Sequence, residues 1–423
     1  MNPRSVNVKF LNTQLLNRRI TVIALLGFAS GLPLALSDST LQAWLTEEGV
    51  EIATIGFFSL VGIPYVFKFL WAPMLDRFQP GWPGRRRDWT LVTQIALAVL
   101  LAYAGITNMA TGPLLWLGIV AVAIAFMSAS QDIAIDAYRT EILTDKERGF
   151  GAAVHVIGYR VAMLASGAGA FILADHYGFP NTYLIMSGLL LIGIVANIAA
   201  PGVPEGIAVP RTLQEAVMEP FRNFFKRDEA LMLLALIFLY KIGEAFAGRL
   251  TTVFLLRELG FSLTDVGAIS KGLGFFATVC GALYGGALMY RLGLYRSLLI
   301  FAWLQAVTNL GFCVLAVIGN SYVALVAVIG LENLTGGMGT AAFVALLMAA
   351  CDRRYTATQY AMLTAVASLG RVFAGPPSGL LVESIGWPVF FFFTFLVALP
   401  AIAILIARRT LVESLDVDHA GAT

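Results

Sequence analysis

The chain has 423 residues, of which 58% are hydrophobic and only 13% charged, with a net charge of +2 and a mean hydropathy of +0.80. A soluble domain of this size needs about a quarter of its residues charged to cover its surface, so the composition excludes a water-soluble globular protein and makes lipid the main solvent. The net charge is uninformative taken whole; its placement along the chain is what informs.

Twelve apolar stretches follow in chain order, at 20–44, 52–74, 89–108, 114–137, 150–174, 181–200, 229–256, 265–290, 296–318, 321–350, 357–382 and 387–407. Each is long enough for the roughly 20 residues a helix needs to cross the hydrocarbon core. The expected fold is an all-α integral membrane protein of twelve transmembrane helices. The first stretch follows a polar, basic segment and is too long for a signal-peptide core, so it reads as a retained helix. Within it Gly31 and Pro33 weaken the helix and predict a break that opens onto substrate. Gln42 and Trp44 follow, an amide near an aromatic face of the kind that suits a sugar, although Trp44 reads first as an interfacial anchor. Lys68 reads as a side chain that snorkels to the interface. Connections are short except 201–228, where Pro201, Pro204, Pro210 and Pro220 interrupt any helix. The chain thus divides into a six-helix unit over 1–200, a cytoplasmic linker over 201–228 and a second six-helix unit over 229–423.

Lys and Arg set the orientation. With the N-terminus inside, 21 of the 28 Lys and Arg residues fall in cytoplasmic segments, and the outside loops hold only Arg257. Both termini are therefore expected in the cytoplasm. The halves also repeat. The Asp76-Arg77 loop recurs at Arg291, 214 residues after Arg77; Arg160-Val161 recurs as Arg371-Val372, 211 residues on; Gly178-Phe179-Pro180 recurs as Gly386-Trp387-Pro388, 208 residues on. Duplicated units of this kind are usual in secondary transporters, which bind substrate near the midplane where the repeats meet.

A charge inside hydrocarbon is expensive and marks a partner or a wet cavity. The fourth stretch places Ser128, Asp132 and Asp136 at helical spacing on one stripe, continued by Arg139. Two carboxylates at different depths meet the requirement for a proton-coupling site; pairing with arginines to fix helix contacts is the structural alternative. Beside Asp132, Gln131 offers an amide to cargo. Arg160 can grip a substrate carboxylate or neutralise Asp132 or Asp136. In the seventh stretch Lys241 and Glu244 share a face, either as a locally neutral pair or as the polar wall of a cavity. Lys271, Glu332-Asn333 and Arg371 are further candidates. Gly336-Gly337-Met338-Gly339 permits close helix approach and is no phosphate loop, because no Lys-Ser or Lys-Thr follows. Three scattered histidines and three separated cysteines give no metal or redox spacing.

The loop Trp71 to Arg77, followed by Gly84-Arg85-Arg86-Arg87, resembles the loop between the second and third helices of the major facilitator superfamily. That resemblance implies a cytoplasmic latch of Asp76, Arg77 and Arg85; in the second half Tyr290 stands where the aspartate would be. Gly27-Phe28-Ala29-Ser30-Gly31-Leu32-Pro33-Leu34, Ile55 to Gly62, Tyr65 to Trp71, Ser128-Ala129-Ser130-Gln131-Asp132-Ile133, Glu147-Arg148-Gly149 and Gly158-Tyr159-Arg160 resemble AmpG-type muropeptide permeases, densely over 20–175 and more loosely beyond. The resemblance implies import of N-acetylglucosaminyl-anhydro-N-acetylmuramyl peptides across a bacterial inner membrane, driven by the proton gradient. It implies no cofactor and no nucleic-acid partner, only cargo, protons and membrane lipid, and a protein that works as a monomer. Some members carry additional hydrophobic helices for which this chain shows no counterpart. A carrier of another sugar, peptide or coenzyme-like solute is the alternative. A membrane-embedded transferase would need a nucleophile–base or metal cluster at one surface, which the sequence does not offer.

Overall fold

The computed structural model describes residues 17–77, 84–143, 148–202, 221–227, 229–351 and 356–420, and every regular element among them is helical. Lipid explains this: without water, backbone polar groups must be satisfied within the segment, and a helix does so along its whole length. The first half contains α1 (Arg18–Leu36), α2 (Ser39–Glu47), α3 (Ile52–Phe57), α4 (Ile63–Phe67), α5 (Ala72–Arg77), α6 (Arg85–Ile106), α7 (Leu114–Ile142), α8 (Arg148–Leu164) and α9 (Ala170–Ile198). The second contains α10 (Ala230–Arg249), α11 (Gly274–Leu292), α12 (Leu294–Ile318), α13 (Tyr322–Ala349), α14 (Thr356–Phe373), α15 (Gly375–Ala407) and α16 (Arg409–Ala420).

Ten segments among the described residues are long and apolar enough to cross a membrane. Two of them, Val154–Ile198 and Met362–Ala407, run for 45 and 46 residues, over twice the roughly 20 that one crossing needs. Each is broken at a single residue, Gly178 with φ 78° and Gly386 with φ 74°, two positions before Pro180 and Pro388. Positive φ is open to glycine and strained for other residues, so one residue does the work of a loop. The stretch expected at 52–74 is not one continuous α-helix. Pro64 supplies no N–H and crowds the carbonyl four residues back, and 3₁₀ turns at Phe58–Gly62 and Lys68–Leu70 flank α4. The break expected at Gly31–Pro33 is also absent: α1 stays helical through Pro33 and ends at Ser37, whose N–H reaches the carbonyls of Ala35 and Pro33.

The described residues fall into two compact units, one from Met1–Leu41 and Phe67–Val209, the other from Gln42–Val66 and Pro210–Thr423. In the first, α1 packs on α8, α6 on α9, and α6 on α7. In the second, α10 packs on α14, α12 on α15, and α12 on α13. These are the same partnerships one repeat later. The α1–α8 contact is close because it is built on glycine. A Cβ on Gly31 would lie 2.5 Å from the Tyr159 carbonyl oxygen, and one on Gly158 2.2 Å from that of Ala24. Gly31 therefore serves approach rather than opening. In the second unit α11 meets α13 in the same way, and α3 packs on α15, where the Ala53 N–H donates to Glu383 at 2.8 Å.

Arginines hold the helix ends. Carbonyls of a last turn have no intrahelical donor, and a cation there also favours the helix dipole. At the end of α9, Arg18 donates to Ala199 O at 2.9 Å and Arg87 to Ile198 O at 3.0 Å. After α13, Arg227 donates to Ala350 O at 2.5 Å. After α2, Arg257 donates to Thr46 O and Val50 O, both at 2.8 Å.

Candidate functional site

In the first unit the polar centre is Asp132, on the middle of α7. Ser30 of α1 donates its hydroxyl to Asp132 Oδ1, and Lys68 Nζ lies 4.0 Å from Oδ2. Lys68 is thus turned to a carboxylate rather than simply snorkelling, although 37% of its side chain stays exposed. The expected stripe grades outwards along α7: Ser128 is fully buried, Asp132 is 14% exposed and Asp136 is 50% exposed, pairing with Arg139 at 3.1 Å. Gln131 is wholly buried, and neither end of its amide has a partner among the described residues. Trp71 anchors the neighbouring turn by donating to Ser130 Oγ at 3.0 Å and lying tilted against Phe126, ring centres 4.8 Å apart.

Arg160 is exposed on α8, and among the described residues no ion pair joins it to Asp132 or Asp136. Its guanidinium is therefore not spent on neutralising α7. The side chains of Asp76, Arg77 and Arg85, the residues of the expected latch, lie outside those described.

In the second unit Lys241 of α10 is the hub. Its Nζ donates to Glu244 Oε2 at 2.5 Å and to Thr340 Oγ1 of α13 at 2.9 Å, and it lies 5.6 Å from the Phe343 ring centre. The pair is a neutral unit with a hydroxyl and an aromatic face added. Lys271 donates to Thr252 at 3.1 Å from the π-helical turn Val266–Leu273. Glu332 on α13 accepts from Asn333 Nδ2 at 2.8 Å. Gln305 and Asn309 of α12 are buried, with both ends of the Asn309 amide unpartnered among the described residues. Gln42 is 5% exposed. Trp44 is no interfacial anchor: it is fully buried, and its Nε1 donates to Glu48 at 3.3 Å.

Ser30, Thr340, Thr252, Gln305 and Asn309 were not singled out as site residues from the sequence. One signal was available. Lys241 stands 211 residues after Ser30 and Thr340 stands 208 after Asp132, the offsets of the other repeat landmarks.

Charged side chains within membrane helices, Asp132 on α7 held by Ser30 of α1 and Lys241 on α10 held by Thr340 of α13, are features of a carrier rather than of a packed apolar bundle. The family model of the Major Facilitator Superfamily matches residues 23–331 and 233–420. The chain belongs to the major facilitator superfamily. Within that superfamily it belongs to the AmpG-type permeases. It is 50% identical over 395 residues to the anhydromuropeptide permease of Escherichia coli (strain K12), covering 93% of this chain and 80% of that one. A putative transporter, AmpG 4, of Rickettsia conorii is 34% identical, with 93% and 97% covered. The likeness is not confined to residues 20–175. Among solved structures, a mutant of the nucleoside transporter NupG has a TM-score of 0.70 at 14% identity, covering 92% of this chain and 99% of that one. A POT family transporter in complex with a thioalcohol-conjugated peptide has a TM-score of 0.69 at 12% identity, with 93% and 96% covered. These two share the fold. The superfamily and its AmpG-type branch are transporters, not enzymes.

Proposed function

We propose that this chain imports cell-wall-derived anhydro-muropeptides, GlcNAc-anhydroMurNAc and its peptides, from periplasm to cytoplasm, coupled to proton entry and by alternating access. The observation that carries the cargo is the 50% identity, over 93% of the chain, to the E. coli permease of that name. What supports the coupling is Asp132: a carboxylate deep in a membrane helix, held by a hydroxyl and with the Lys68 ammonium at 4.0 Å. Such a group can exchange a proton, and proton binding then biases the balance between outward- and inward-open states. Asp136, exposed and paired with Arg139, serves as the relay towards the surface.

Cargo hydroxyls, amides and carboxylates meet Gln131, whose amide is unsatisfied, the guanidinium of Arg160, and the Lys241–Glu244 pair. Gln42 and Lys271 complete the polar lining. Each of the two long segments counts as two crossings, which gives twelve, six before and six after the 201–228 linker. The protein sits in the bacterial inner membrane as a monomer with both termini cytoplasmic. Asp76, Arg77 and Arg85 latch the cytoplasmic ends of neighbouring helices while the carrier faces outwards.

The test is uptake into proteoliposomes of labelled GlcNAc-anhydroMurNAc, with and without a peptide stem, beside other sugars and free peptides. Accumulation of the anhydro-sugars under an outside-acid pH step, and not of the others, is expected. Equal uptake of unrelated sugars would replace the cargo, and indifference to the pH step would remove the coupling.

A further inference from the structure

Glu332 lies deep within a membrane helix. It is the eleventh residue of the 28-residue helix α13. At about 1.5 Å per residue that places it roughly 15 Å from the helix start, near the middle of a hydrocarbon core about 30 Å thick. A carboxylate at that depth needs a counter-ion, a wet cavity or a proton.

No counter-ion is within ion-pair distance among the described residues. The hydrogen-bond partner of Glu332 is neutral, the Asn333 amide at 2.8 Å. The charged groups on elements packed against α13 are Lys241, Glu244 and, in the last turn, Arg249 on α10, Lys271 on the π turn and Arg371 on α14; Arg291 of α11 and Arg296 of α12 stand at helix ends, and α16 brings its charges only beyond Arg408. Lys241 is committed to Glu244 at 2.5 Å and to Thr340 at 2.9 Å, and Lys271 donates to Thr252. Lys241 and Glu244 thus form a pair with no net charge, and Lys271, Arg371 and Arg249 make no ion pair with Glu332 among the described residues.

The amide that faces Glu332 is clamped. Asn333 Nδ2 also donates to Ile329 O at 2.9 Å, and its Oδ1 accepts from Thr278 of α11 at 3.1 Å. A Cβ on Gly274 would lie 3.2 Å from that amide, and α11 is drawn onto α13 by Gly281, whose Cβ would stand 2.0 Å from the Leu334 carbonyl oxygen. Asn333 therefore cannot turn away. It offers one N–H, which a carboxylate oxygen or the carbonyl oxygen of a carboxylic acid accepts equally well. The second oxygen, Oε1, is left to carry a proton.

The geometry points to Glu332 as a second proton-carrying group, in the second repeat, that loads and unloads during the cycle rather than binding cargo. This deepens the proton-coupled reading above and rests on it. The step balances simply: a proton from the outer water adds to Oε1, and the same proton leaves to the inner water when the carrier has turned over. Asp132 lies in the first repeat, so each repeat then carries one titrating carboxylate.

The test uses purified carrier in proteoliposomes and labelled GlcNAc-anhydroMurNAc, with two readouts: exchange at equal pH and accumulation under an outside-acid step. E332Q keeps the Asn333 contact but carries no titratable proton. It is expected to retain exchange within about twofold and lose at least tenfold of the accumulation ratio. E332D is expected to accumulate with a displaced pH profile, because its carboxyl draws back from the Asn333 amide. Wild-type accumulation by E332Q overturns the proposal, as does parallel loss of exchange and accumulation, or an E332D pH profile matching that of the wild type. Failure of the wild-type protein itself to accumulate under the pH step would instead sink proton coupling as a whole.

Discussion

Ser30 donates its hydroxyl to the carboxylate of Asp132, tying α1 to α7. The second repeat makes the corresponding bridge with different chemistry: Lys241 donates to Thr340, tying α10 to α13. In one half the acid is on the later helix, and in the other a base is on the earlier one. Duplication has kept the contact and let the charges diverge. The account of transport depends on that divergence, because it leaves Asp132 with a hydroxyl for its close partner and a cation only at 4.0 Å.

Ser30→Ala should therefore impair transport without unfolding the protein. A hydrogen bond to a charged group is worth about 1.5–3 kcal/mol, so gradient-driven uptake should fall roughly tenfold or more, whereas Ser30→Thr, which keeps the hydroxyl, should retain most of it. Initial rates in vesicles check this. Equal rates for the Ala and Thr variants would remove the contact from the mechanism.

Lys241 and Glu244 should behave as a unit in stability. Removing one member leaves the other charge partly buried and unpaired. Glu244 is 34% exposed, so water softens the loss; Glu244→Gln is expected to cost about 1–3 kcal/mol. The double variant Lys241→Met, Glu244→Leu should recover most of that loss. Thermal unfolding in detergent across the four proteins of the cycle measures the coupling, and additive losses would contradict it.

The α11–α13 contact should tolerate no added methyl. A Cβ on Gly337 would lie 2.1 Å from the Thr278 carbonyl oxygen, while one on Gly286, also on this helix pair, meets nothing within 4 Å. Gly337→Ala should lower the melting temperature and the yield of folded protein sharply, and Gly286→Ala should change neither. Overpacking of this kind costs about 1–3 kcal/mol or more. Matching melting curves for the two variants would show that the helices can separate freely.

Arg87 should matter for the end of α9 rather than for transport chemistry. It donates to the carbonyls of Asn197 and Ile198, and the Asn197 amide returns a bond to Arg87 O at 2.8 Å. Arg87→Ala should lower stability by about 1–2 kcal/mol and speed amide exchange over the last turn of α9. Unchanged exchange there would assign the arginine another role.

The sequence made the crossings legible because lipid permits so few solutions. Long apolar runs had to be helices, and their lengths fixed where they stood. The breaks at Gly178 and Gly386 fall in the gaps expected between stretches, where Asp175, His176, Glu383 and Ser384 interrupt the apolar run; what the sequence did not show is that a single glycine of positive φ makes each turn. The sequence misplaced Trp44, because an aromatic ring shows its type and not its depth. The carboxylates and cations of the site stood out as charges in apolar runs. Apart from Asn333, their partners did not: Ser30, Thr340 and Thr252 are small neutral groups, and nothing in an apolar helix distinguishes a hydroxyl that bridges from one that bonds its own turn. Only the repeat offset linked Ser30–Asp132 to Lys241–Thr340. The glycines of α1 carried a true signal that was read in the wrong direction, since close approach and helix breaking draw on the same residue.

The most direct measurement is proton entry on addition of cargo. Proteoliposomes holding a pH-sensitive dye, with no imposed gradient, receive external GlcNAc-anhydroMurNAc. The wild-type carrier should acidify the interior as cargo enters, and Asp132→Asn, present in the membrane at the same level, should not. Cargo uptake with no change of internal pH, or acidification by Asp132→Asn equal to that of the wild type, would contradict the account.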